Sequence, residues 1–365
     1  MKILILSDAN SVHTFKWVES LSKHNISLIL FSLFTPNNDY KKKYRQLNVE
    51  IHSPNLRSRI SNLKQPNLTK LYYLNGLKHL KKIIRNYKPD LIHAHYASSY
   101  GVLAFLSFFR PFIISVWGSD IYLFPKINFI NKWILKKVIQ SADKVCSTSN
   151  AMKKIIIEEY DRSDIHIIPF GVNINLFSPS LNSTKDFIVG TIKSIEDYNG
   201  IDCLLDSAAI IINKYKHYDI KFLIVGKGSL LDLMKGKARQ LDIEKNVEFA
   251  GKISFDNIVK YHQKLSVFVA VSTRESFGVS ILESLACGIP AITSNIGGLP
   301  EVNKNQHTGI IIDPNDPEKL ADSIIKLYLN ENYRNKLSKN ARDWVVKNFN
   351  WEENVNQMIN IYKQY

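Results

Sequence analysis

Between Ser272 and Val302 the chain reads STRESFGVSILESLACGIPAITSNIGGLPEV, setting two carboxylates, Glu275 and Glu283, among three glycine turns. A glycine loop followed by a helix N-terminus is an anion site, because free backbone N–H groups and the positive end of the helix dipole converge there. Carboxylates beside such a site must hold something uncharged. Sugar or ribose hydroxyls answer that need, since one carboxylate accepts two O–H hydrogen bonds at once. Taken singly, each glutamate could be a solvated surface residue and each glycine a plain turn; the combination is what points to a site.

The elements that must position these residues are legible around them. The run Val267-Phe-Val-Ala-Val-Ser272 is continuous and β-forming, as for a strand buried on both faces of a parallel sheet. Val279, Leu282, Leu285 and Ala286 then recur at helical spacing, with Gly288 where a helix ends in left-handed backbone. A further strand over 290–294 leads into Gly297-Gly-Leu-Pro-Glu-Val302, where proline stands near the first turn of another helix. Glu275 is thus expected in a loop above a strand end, and Glu283 about one and a half turns into the helix.

The same alternation runs through the chain and predicts a parallel α/β architecture. Strands are expected at 2–7, 26–33, 48–52, 90–95, 112–116, 143–148 and 165–170, then at 187–192, 221–226, 247–250, 267–272, 290–294 and 309–313. Helical segments fall between most of them, including 68–87 and 128–140, and three more close the chain. The boundaries expected are a first domain over 1–177, a second over 178–350, and a terminal helix over 351–365 packing back on the first. Ligands of doubly wound sheets bind beyond the strand C-termini, so the cleft between the domains is the expected site.

Composition narrows the class. At 365 residues and 45% hydrophobic content, the chain can fill two cores. No apolar run approaches the roughly 20 residues that span a bilayer, and the opening MKILILSDAN reads as a first buried strand rather than a secretory signal. Cys146, Cys203 and Cys287 are too scattered for a disulfide framework or zinc site, which predicts a cytoplasmic protein. The net charge of +15 is uneven: residues 1–177 carry 25 Lys+Arg against 11 Asp+Glu, or +14, and the remainder 23 against 22, or +1. Such a split suits docking on the anionic inner face of the cytoplasmic membrane. On the segment 126–138, Ile127, Ile130, Ile134 and Val138 are expected on one helical face, with Trp133, Lys132, Lys136 and Lys137 available to an interface.

Glu275-Ser-Phe-Gly-Val-Ser-Ile-Leu-Glu283, Ala286-Cys-Gly-Ile-Pro290 and Gly297-Gly-Leu-Pro-Glu-Val302 together resemble the donor site of the family-four retaining glycosyltransferases. The resemblance implies the GT-B fold, two doubly wound Rossmann-like domains facing across a cleft. It implies that Glu283 holds the ribose of a nucleotide-sugar, Glu275 the transferred sugar, and the amides of Phe277, Gly278 and Val279 the sugar and diphosphate. Lys193 is similar to a family cation for the diphosphate, and Asn199 stands where a second is usual, offering a hydrogen bond without charge. Gly226 and Ile253 fall where the family has donor-binding backbone. In the first half, Asn10 and His13 follow the first strand where members often carry a glycine pair. Trp117 replaces a histidine that would reach the sugar, and Asp120 is retained near the acceptor or sugar. His93 and His95 alternate along their strand and share a face, as hydrogen-bonded histidines lining the cleft.

The function expected is transfer of a sugar from a nucleotide-diphosphate donor to a glycan or lipid-linked acceptor hydroxyl, in cell-surface polysaccharide assembly. No Asp-x-Asp triplet occurs, so neither a metal nor another cofactor is expected. A nucleotide-sugar epimerase on the same architecture is the enzymatic alternative. A nucleic-acid binder using the basic half is the other; it has no use for the glutamate site, and no basic stripe is interleaved with stacking aromatics. No nucleic-acid partner is therefore expected.

Overall fold

The computed structural model describes residues 1–56, 75–180, 186–215 and 217–365. They form two compact units, Met1–Pro169 with Asn354–Tyr365, and Phe170–Glu353. The first unit holds β1 (Lys2–Leu6), β2 (Ser27–Phe31), β3 (Glu50–His52), β4 (Leu91–His95), β5 (Phe112–Val116), β6 (Lys144–Ser147) and β7 (Ile165–Ile167). The second holds β8 (Phe187–Ile192), β9 (Ile220–Val225), β10 (Val247–Gly251), β11 (Val267–Ala270), β12 (Ala291–Ser294) and β13 (Gly309–Ile312). Every strand expected from an apolar run is present. Of the helix expected over 68–87, Asn75–Tyr87 is helical and 68–74 lie outside the described residues.

Both sheets are parallel and doubly wound. Their orders are β3-β2-β1-β4-β5-β6-β7 and β10-β9-β8-β11-β12-β13. Burial on both faces explains the uninterrupted apolar strands: Leu4, Leu6, Ile92 and Ile114 pack with Leu103 and Val138 in one core, while Val189, Ile224, Val267 and Val269 pack with Leu204, Ala208 and Ile324 in the other. Each sheet reverses its strand order once, between β1 and β4 and between β8 and β11. Loops leaving the C-terminal ends of such a pair diverge to opposite sides, opening a crevice at the switch point.

The boundary falls earlier than 177. Residues 170–177 belong to the second unit because Val172 exchanges backbone bonds with Phe349 and Trp351, at 2.9 and 3.1 Å, and Phe177 is buried. The Arg342 guanidinium also donates to the carbonyls of Phe177 and Ile174, at 2.7 and 2.9 Å.

Candidate active site

Lys193 follows β8 and Glu275 follows β11, so the second switch point brings them together across 82 residues of sequence. The Lys193 Nζ lies 2.6 Å from Glu275 Oε2 and 2.9 Å from Ser272 Oγ. The other carboxylate oxygen accepts from the Ser276 amide at 3.1 Å. Lys193 is 8% and Glu275 20% exposed, so the pair is shielded yet reachable. The pair is locally neutral, so the carboxylate does not repel an anionic ligand from the open amides beside it. The ammonium keeps a donor for an anionic oxygen, and the carboxylate keeps lone pairs for a hydroxyl.

Those amides belong to the start of the helix Val279–Ala286. Its first intrahelical bonds run from Ile281 and Leu282 to the Gly278 carbonyl, so the N–H groups of Phe277, Gly278 and Val279 precede the ladder. Gly278 has φ +102°, and a Cβ there would stand 2.8 Å from Ile281 Cδ1 and 3.0 Å from Leu299 Cδ2, so the residue that aims the turn must be glycine. The Phe277 side chain points into the core against Phe170 and Phe349 and anchors the loop from behind.

Asn199 and Gly226 are engaged with the backbone around Lys193. Both hydrogens of the buried Asn199 amide go to Ser194, at 2.8 Å to its carbonyl and 2.9 Å to its hydroxyl, leaving none for a diphosphate. Gly226 donates its N–H to the Gly251 carbonyl at 2.8 Å and passes so close to Lys193 that a Cβ would sit 1.8 Å from the Lys193 carbonyl oxygen. Both residues fix the backbone that carries Lys193. Ile253 is half-buried two residues beyond β10.

Glu283, in the second turn of the helix, is 17% exposed on its side chain. Beside it stands a residue that the sequence did not single out. His262, at the end of the helix Phe255–His262, is fully buried with its Nε2 3.4 Å from Glu283 Oε2. Ser272, the second partner of Lys193, was likewise unmarked, although its place three residues before Glu275 at a strand end was the available signal.

The first switch point is built differently. His93 donates or accepts at both nitrogens, Nδ1 to the Tyr362 hydroxyl at 2.6 Å and Nε2 to Ser115 Oγ at 2.8 Å. His95 Nδ1 lies 3.0 Å from Ser7 Oγ, which meets Thr14 Oγ1 at 2.6 Å. The rings share a face of the sheet, 4.6 Å apart, but both are buried rather than lining a surface. Burial pushes the His93 imidazole down to about 3 and holds His95 well below its ordinary value, so both are neutral. Trp117 packs on His95 at 4.3 Å and on Tyr96 at 5.1 Å, and the half-buried His13 meets its edge at 6.0 Å. Asn10 ties two loops together, donating to Asp8 Oδ1 and the Thr35 carbonyl and accepting from the Asn37 amide.

Asp120 follows β5 in the short helix Ser119–Tyr122. It is completely buried, and its oxygens accept the amides of Ala97, Trp117 and Gly118 at 2.9, 3.2 and 2.9 Å. Burial raises its carboxyl above the usual range, against the opposing pull of those amides. Asp120 shapes the loop that presents Trp117.

The family model described as glycosyl transferases group 1 matches residues 173–344, and that described as glycosyl transferase 4-like matches residues 2–149. An uncharacterized glycosyltransferase of Methanocaldococcus jannaschii is 28% identical over 95% of this chain and 93% of its own. The UDP-Gal:alpha-D-GlcNAc-diphosphoundecaprenol alpha-1,3-galactosyltransferase of Escherichia coli is 26% identical over 81% of each chain. Among solved structures, sucrose-phosphate synthase from Thermosynechococcus elongatus superposes with a TM-score of 0.84 at 20% identity, over 100% of this chain and 98% of its own, and has the same GT-B fold. With glycosyltransferase models matching both halves and each half built on a doubly wound parallel sheet, the chain belongs to the group 1 glycosyltransferases.

Proposed function

We propose that this glycosyltransferase moves a sugar from a nucleoside-diphosphate donor to an acceptor hydroxyl with retention, in the assembly of a cell-surface polysaccharide. The observation that carries the reading is the Lys193–Glu275 pair beside the open amides of Gly278 and Val279. A diphosphate takes the amides and the ammonium, the transferred sugar takes Glu275, and the ribose takes Glu283. As the anomeric C–O bond breaks, charge grows on the leaving phosphate, where preorganised N–H groups and Lys193 stabilise it. The acceptor oxygen forms the new bond from the same face and passes its proton to the phosphate oxygen that has just left. The Escherichia coli relative is named for a UDP-sugar donor and a lipid diphosphate acceptor, which supports both classes here.

Donor alone and donor with a lipid-linked acceptor separate transfer from epimerisation. The reading expects glycosylated acceptor and only slow hydrolysis without it; conversion of free donor to its epimer would overturn it. Charge on the leaving group is met by protein groups, so EDTA is expected to leave turnover intact. Activity lost to EDTA and restored by Mg²⁺ or Mn²⁺ would contradict that assignment.

The first unit is assigned the acceptor and an anionic membrane surface. No helix among the described residues is long and apolar enough to cross a membrane, and the contact proposed is a peripheral one. The expected apolar stripe is corrected by the fold. The helix begins at Phe129, capped by Asn128, so Ile127 precedes it, and Val138 packs with Leu135 and Ile139 in the core. What remains outside is Phe129 at 81%, Trp133 at 59% and Ile130 at 52% exposure, with Ile127 beside them. Lys132 and Lys136 pair with Glu159 and Asp161, at 2.9 and 2.5 Å, so the apolar tip carries more of the contact than the sequence alone suggested. Flotation with anionic liposomes is expected to fall at least several-fold for Phe129→Ser with Trp133→Ser. Unchanged binding in that variant would remove the tip from the account.

A further inference from the structure

His262 is the one histidine of the second unit, among the described residues, that is fully buried and has no hydrogen-bond partner at either ring nitrogen. Its ring stacks on Phe268, 5.8 Å away at 27°, and meets Phe177 edge-on at 5.8 Å. That aromatic slot flanks the imidazole, and Glu283 stands beside it with Oε2 3.4 Å from Nε2 but not aligned as a hydrogen bond. A buried polar group without a partner destabilises the fold, so its persistence calls for a partner acquired in function.

We infer that His262 is a positioning residue for Glu283: when a nucleotide's ribose engages the carboxylate, Nε2–H closes onto Oε2 and holds Glu283 in its ribose-binding rotamer. This rests on the assignment of Glu283 to the ribose. A small turn of the side chain about its exposed end aligns the contact, because the imidazole cannot move within its slot. One oxygen is then braced from inside the protein, and the lone pairs facing outward accept the two ribose hydroxyls. His262 also ends the helix that begins just past Ile253, so the loop after β10 and the ribose carboxylate are mechanically joined.

The test uses the full chain and whichever of UDP, GDP and ADP stabilises it most against heat. Affinity for that nucleotide and for its 2′,3′-dideoxy counterpart is measured by calorimetry in wild type, His262→Phe, His262→Gln and Glu283→Ala. Phenylalanine preserves the aromatic slot without the N–H, while glutamine restores a donor. The inference expects a 5- to 20-fold loss for His262→Phe with the ribonucleotide, little change with the dideoxy analogue, partial recovery in His262→Gln, and no further loss when His262→Phe is added to Glu283→Ala. Equal losses for both nucleotides, or none, would overturn it and reduce His262 to packing. If Glu283→Ala itself leaves ribonucleotide affinity unchanged, the ribose assignment fails first and the inference falls with it.

Discussion

The two units share a sheet topology and differ in what they place at the point where strand order reverses. In the first, His93 with Ser115 and Tyr362, and His95 with Ser7, form two neutral, buried hydrogen-bonded sets whose imidazoles meet ring to ring. In the second, Lys193 and Glu275 are charged, paired and partly open, beside amides that lack intrahelical partners. A buried network of neutral groups is complete in itself and rigidifies its surroundings. A half-shielded ion pair keeps donors and acceptors that a charged ligand can recruit. One fold therefore supplies a finished scaffold on one side and an unfinished electrostatic site on the other, and the difference lies in side chains rather than in backbone plan.

Removing the cation is the hardest blow to that contrast. Lys193→Ala is expected to lower turnover by about 100- to 1000-fold, the scale for loss of one preorganised transition-state donor. Steady-state kinetics with saturating donor would show it, and a loss below tenfold would mean that the pair is structural.

Acid tests the first unit instead. Burial pushes the folded His93 imidazole down to about 3 against an ordinary 6.5, and shifts His95 in the same direction. Below the ordinary value the unfolded chain binds protons that the folded chain refuses, so stability is full above that pH and is lost as pH falls toward 3. His93 contributes a slope of about 1 kcal/mol per pH unit within that window, and His95 adds to it in the same direction. Denaturation curves for His93→Gln should be flatter between pH 6 and 4 than those of wild type. Identical slopes would show that these imidazoles already carry protons when folded.

The central strands were legible because they are largely apolar runs with no competing period, the mark of parallel burial, while the edge strands β3, β7 and β10 carry polar residues and partial exposure. The carboxylates and glycines of 275–302 were legible because loop, strand and helix signals coincide there. What escaped was direction. Asp120 and Asn199 are polar residues in turns, and whether such a side chain faces a ligand or caps its own backbone is settled by neighbours distant in sequence, as Ala97 shows for Asp120. His262 carried no local signal, since its meaning comes from Glu283, 21 residues away. On the helix after Asn128 the spacing marks apolar positions, but which of them face outward is set by where the helix starts and by which arc packs into the core.

Calorimetry of a free nucleoside diphosphate with Glu283→Ala and Glu275→Ala, side by side, tests the donor site most directly. Glu283→Ala is expected to weaken binding about 10- to 100-fold, since the ribose loses a charged acceptor worth roughly 1.5 to 3 kcal/mol per bond. Glu275→Ala should bind the free nucleotide as well as wild type does, or better, because Lys193 is released from its partner at 2.6 Å, while turnover with the full donor collapses. Equal losses in both variants, or unchanged affinity in a folded Glu283→Ala protein, would contradict the account.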